Sequence, residues 1–158
     1  MVAIRPRADS KSFSLIDMEI EYPKVKNPEL VGTYSAFAKA GGGYVWDDVL
    51  EYRVWCHPHN GAEDFEDGDD YYYSFETYEE AREFSQNTTG AEEPLGLVLQ
   101  EEYISEPEPG QYEHIKEQRI TEWSVEFLKR PRRTSSTIPD FMSPNAPSNK
   151  LDILRGLD

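Results

Sequence analysis

With one cysteine, Cys56, in 158 residues, the chain has no internal disulfide to brace it. It has no run of about 18 apolar residues and no hydrophobic stretch behind a basic start, so membrane spanning and secretion lack support and a cytoplasmic protein is expected. Positive charge is scarce: 16 Lys and Arg stand against 31 Asp and Glu, a formal net charge of -15. Direct nucleic-acid binding needs a basic footprint to neutralise phosphates, and that footprint is missing. Aliphatic residues are few as well. Apolar residues make up 37% of the chain and aromatics 13%, so the core must be built largely from Tyr, Phe and Trp.

What is present concentrates between Tyr52 and Tyr73, YRVWCHPHNGAEDFEDGDDYYY. Tyr52 to Cys56 is aromatic and β-branched, which predicts a strand that Pro58 ends. The period of two puts Tyr52, Val54 and Cys56 on one face and Arg53, Trp55 and His57 on the other. Tyr71 to Phe75 is a second strand. Between them, Glu63, Asp64, Glu66, Asp67, Asp69 and Asp70 place six carboxylates in eight positions. Their repulsion predicts a solvated loop unless a cation or a basic partner screens it.

Around this centre the sequence predicts an α+β domain: an antiparallel or mixed sheet of five or six strands, one principal covering helix and an extended C-terminal arm. Residues 1–12 are expected to be a disordered tail, 13–130 the domain, and 131–158 an arm ending in a short helix at LDILRGL. Ser14 to Tyr22 alternates as a surface strand. Thr33 to Ala40 is a strand or a short helix, with strand preferred. Gly41-Gly42-Gly43 could cradle a phosphate, yet no strand, glycine loop and helix follow in order and no Lys-Ser/Thr pair is near; a hairpin tip is expected. Thr77-Tyr78-Glu79-Glu80 has the capping-box form, so a helix over 77–88 follows. Leu95 to Ile104 is apolar enough for an interior strand, Glu106 to Gly110 is a turn, and Gln111 to Trp123 alternates as an exposed strand.

Cys56, His57 and His59 lie within four residues, and His114 is the third histidine. Thiolate and imidazole are zinc ligands, so these four residues are a candidate metal set, although no second Cys or His pair stands at finger-like spacing. A Cys–His nucleophile drawn from Cys56 with His59 or His114 is a further reading. Packing of Cys56 in the core is the plainer one. The acidic run lacks the spaced ligand order of a calcium loop. For a binding surface the candidates are Trp55, Asp64, Asp67, Asp69, Asp70, Tyr71 and Tyr73, rings and carboxylates suited to an Arg-rich or otherwise basic partner. Such a partner includes a nucleic-acid-binding protein whose groove the acidic surface would occupy. Lys129, Arg130, Arg132 and Arg133 form a basic cluster that could instead fold back on the acidic run.

The segments YRVWCHPHNGAED, YYYSFETYEEAREFS, GAEEPLGLVLQEEYI, EPEPGQYEH and ITEWSVEFL followed by RRTSSTIPDF resemble a group of small bacterial proteins labelled GNAT-type N-acetyltransferase-like, over residues 52–141. The resemblance implies an acetyltransferase using acetyl-CoA, whose pyrophosphate such enzymes hold on a Q/R-x-x-G-x-G/A turn. That motif is absent, so no catalytic or cofactor residue is carried over. The expectation is therefore a non-enzymatic interaction or regulatory module with no cofactor. An acetyl-CoA-dependent transferase is the alternative, and a zinc-binding or Cys–His enzyme the more distant one.

Overall fold

The computed structural model describes the backbone at Ala3–Ile4 and the chain over 22–157; the strand expected from Ser14 lies outside the described residues apart from Tyr22. The strands are β1 (Ala3–Ile4), β2 (Lys39–Ala40), β3 (Asp48–Cys56), β4 (Tyr71–Phe75), β5 (Leu95–Gln100), β6 (Tyr103–Glu108), β7 (Gln111–Ile115) and β8 (Arg119–Ser124). Helices α1 (Tyr78–Gln86), α2 (Thr137–Met142) and α3 (Lys150–Leu154) complete the α+β fold. A six-stranded mixed sheet has the order β1-β4-β3-β5-β8-β2, and β6 and β7 pair separately. Its four central strands are antiparallel neighbours, while the two-residue edges β1 and β2 run parallel to β4 and β8.

Alternation along β3 sorts the faces as expected. Tyr52 and Val54 join Phe75, Val98, Trp123 and Leu128 in the main core, where α1 adds Ala81 and packs Tyr78 and Phe84 against it. Each such large apolar side chain contributes on the order of 1.5–3 kcal/mol by leaving water. The helix starts where its cap predicts. Glu80 N–H donates to Thr77 Oγ at 3.1 Å, and the Thr77 hydroxyl, rather than its backbone N–H, donates to the Glu80 carboxylate at 3.0 Å.

The other face is also buried and mixes polar with apolar side chains. A bulge between Val49 and Glu51 lets Leu50 join Leu97 and Leu99 while Glu51 reaches Arg53. The loop over 32–38 covers this face, which is why it is not the expected strand; only Lys39–Ala40 is extended and paired. Its carbonyls are spent on side chains, with Ser35 C=O accepting from Arg53 at 2.6 Å and Tyr34 C=O from Tyr72 at 3.3 Å.

Other expectations are corrected by pairing partners far away in sequence. Leu95 to Ile104 is two strands, because β5 runs out of neighbours: Leu99 pairs with Asp48, the first residue of β3, and Gln100 with Arg119, the first of β8. Gln111 to Trp123 likewise divides between sheets, and β8 is an interior strand with Thr121 and Trp123 buried. The glycine run is no hairpin tip, since β5 and β8 separate β2 from β3. Within 131–158, α2 is an element that the Ser, Thr and Pro composition does not announce. Ile138 and Phe141 of α2 and Leu154 of α3 are buried with Val45 and Ile104, so the arm docks on its own domain.

Candidate functional site

The acidic loop leaves β3 through a 3-10 turn at Pro58–Asn60, closed by Gly61 in the left-handed conformation. Its start is fixed by packing against the segment after α1: a Cβ on Gly90 would lie 2.3 Å from the Ala62 nitrogen, an approach only glycine permits. Further along, Ala62 N–H donates to His57 C=O, Tyr71 O–H donates to Glu63 C=O at 2.7 Å, and Gly68 N–H donates to the Asp64 carboxylate at 2.8 Å. Asp67 sits at φ 50, a turn conformation that Asp tolerates better than most residues.

His57 ties the loop to the frame. Its Nδ1 lies 2.8 Å from Asp70 and its Nε2 3.2 Å from Glu92. Burial disfavours the charged ring, but the hydrogen bonds to both carboxylates and their charges outweigh it, so the His57 pKa stands above its ordinary value.

The remaining acids of the loop face solvent. Glu63, Asp64, Glu66, Asp67 and Asp69 are exposed, and among the described residues no cation pairs with them. The basic cluster does not fold back on them. Arg133 lies 2.9 Å from Asp47, Arg132 lies 2.8 Å from Asp48, and Arg130 donates to Tyr44 C=O.

The aromatic part of the expected surface is brought together only in part, Tyr71 and Tyr73 meeting edge-on at 5.9 Å. Trp55 lies on the opposite face from Tyr71 and Tyr73, its Nε1–H donating to Glu122 at 2.9 Å and its ring 4.7 Å from Tyr72. Tyr71 is buried, and the Tyr73 ring packs on Phe84 at 4.7 Å. The ring offered to solvent is Phe65, 50% exposed and edge-on to Tyr71 at 5.2 Å. Sequence reasoning missed it, because a lone phenylalanine among carboxylates belongs to no periodic pattern; its position within the charge run was the available signal.

The four candidate metal ligands also disperse. Cys56 is buried with Ala62 and Tyr71, and burial pushes its thiol up to about 11. His57 is turned to Asp70 and Glu92, His59 is exposed on its turn, and His114 lies on β7, 2.5 Å from Glu102. Among the described residues no three His, Cys, Asp or Glu side chains are placed to hold a metal ion.

A second charged assembly, unsuspected from sequence, lies under the 32–38 loop. Arg53 is 0% exposed. Its guanidinium meets Glu51 at 2.6 Å, Glu122 at 3.0 Å and the face of Tyr72 at 4.4 Å. Ser74 O–H and Gly32 N–H donate to the two Glu51 oxygens at 3.1 and 2.9 Å, so the group is hydrogen-bonded throughout and acts as structure. No family model, curated protein or solved structure matches the chain.

Proposed function

We propose that this protein is a non-enzymatic interaction module that engages a basic protein partner through the acidic loop over 59–70. The carrying observation is the set of exposed carboxylates at Glu63, Asp64, Glu66, Asp67 and Asp69, without cation partners among the described residues, while Arg132 and Arg133 are committed to Asp48 and Asp47. Ordered anchors at His57, Tyr71 and Gly90 hold these charges in place before any partner arrives, which lowers the ordering cost of association. Phe65 supplies an apolar contact at the centre of the field. A guanidinium-rich surface matches both, pairing with carboxylates and stacking on a ring.

The test uses an arginine-rich peptide as probe and three forms of the full chain. Neutralising Glu66, Asp67 and Asp69 together should weaken binding about tenfold at low salt, three exposed pairs at roughly 0.2–1 kcal/mol each. Neutralising Glu113, Glu117 and Glu126, exposed residues outside the loop, changes net charge equally and should weaken it far less. Equal losses in the two triple variants would reject the loop as the site. A melting-temperature rise with acetyl-CoA, absent with a basic probe, would favour a transferase instead.

A further inference from the structure

Between the glycine run and the β6–β7 sheet lies a cavity of about 400 Å³, lined by Gly41, Gly42, Gly43, Arg119 and Arg130 among others. In so acidic a chain most buried cations should find carboxylates, and Arg53 and Arg133 do. The two arginines of the cavity do not. Arg119 donates to the Gln100 side-chain oxygen at 2.6 Å and to Gly41 C=O at 3.1 Å, with its guanidinium 4.4 Å over the Tyr103 ring. Arg130 donates to Tyr44 C=O at 2.9 Å and lies over the rings of Phe127 and Trp123. Every one of these partners is neutral, so both guanidiniums are oriented without a carboxylate in direct contact.

A third arginine stands outside the cavity lining. Arg155 has a buried Nε with no hydrogen-bond partner among the described residues. Its charge acts on Arg130, whose pKa is lowered first by burial and then by Arg155, and also on Glu106, whose carboxyl is held below its ordinary value first by the Tyr44 hydrogen bond and more weakly by Arg155. Glu106, the acid on the cavity wall, accepts from the Tyr44 hydroxyl and from Gly110 N–H at 2.7 Å and keeps its negative charge.

The glycines permit this closeness. All three have positive φ, and a Cβ on Gly42 would stand 3.0 Å from the Arg119 guanidinium. Gly41 C=O accepts from Arg119 and Thr121, and Gly43 C=O accepts from Val45 and Ile104. Across a trans peptide the next N–H points the opposite way, so Gly42 and Tyr44 turn their N–H groups away from those donors. Both residues line the cavity.

We propose that this cavity binds the phosphoryl group of a small phosphorylated molecule, with Arg119 and Arg130 as its charge partners. Two forked guanidiniums against the one wall carboxylate, Glu106, leave the cavity net positive, and guanidinium geometry matches phosphoryl oxygens. The site is separate from the acidic loop and does not depend on the function proposed for it.

Titration of the full chain with inorganic phosphate, against acetate and chloride at equal ionic strength, tests the assignment. Phosphate should bind and raise the melting temperature where acetate and chloride do not. Arg119→Gln should weaken phosphate at least about tenfold, the loss expected when one charge-assisted partner is removed. Glu106→Gln should strengthen it about two- to threefold by removing a nearby negative charge, a gain that a folding defect cannot imitate. No phosphate response up to about 10 mM, an equal response to acetate, or unchanged affinity in Arg119→Gln together with Glu106→Gln would overturn the proposal.

Discussion

The buried assembly around Arg53 and the exposed loop over 63–70 hang on the same two strands, β3 and β4, and use the same residue types to opposite ends. Around Arg53, each carboxylate faces a guanidinium, a hydroxyl or an N–H in a dry site, where an unpaired charge would be far too costly. In the loop, water screens carboxylates that would otherwise repel one another, so they can stand without cations beside them. Burial, more than residue identity, decides whether a charge holds a fold together or faces outward.

The sharpest way to break this contrast is to remove the buried cation. Arg53→Met should cost about 3–5 kcal/mol, because Glu51 and Glu122 would remain behind without their partner. Denaturant unfolding measures the loss, and adding Glu51→Gln to Arg53→Met should recover part of it. The loop triple variant at Glu66, Asp67 and Asp69 should do the reverse, losing about tenfold in binding the basic peptide while stability changes by less than about 0.5 kcal/mol. If that variant unfolds like Arg53→Met, the two regions are not distinct.

Smaller changes probe how the loop is held. Tyr71→Phe removes the hydroxyl that donates to Glu63 C=O and should cost about 0.5–1.5 kcal/mol in stability, together with faster amide exchange around Glu63. His57 should give the smallest effect. Its folded-state pKa is raised above the ordinary 6.5, so its contribution is complete below that value and is lost as pH rises through the folded value. With Asp70 and Glu92 both well exposed, screening keeps the contribution under about 1 kcal/mol. The expected signature is a shallow loss of stability toward alkaline pH that His57→Gln abolishes.

Elements whose cause is local were legible. The alternation over Tyr52 to Cys56, the proline that ends it and the Thr77 cap each depend on neighbours within a few residues. The loop was legible for the same reason, since six acids in eight positions need no tertiary partner to repel one another. What was missed depends on meetings at long range. Arg53 finds Glu122 across 69 positions, Arg133 finds Asp47 across 86, and the glycine run is placed by donors from Gln100 and Trp123. The helix α2 was hidden because its two anchors, Ile138 and Phe141, acquire meaning only against Val45 and Ile104.

The amino-acid order alone determined that this chain would be acidic, aromatic-rich and α+β, with a charged loop between two ring-bearing strands, because composition and short-range period set those properties. Tertiary structure alone decided which charges would be spent inside and which left over. That outcome depends on which strands become neighbours, and strand pairing is settled by the burial of whole faces rather than by any stretch read by itself.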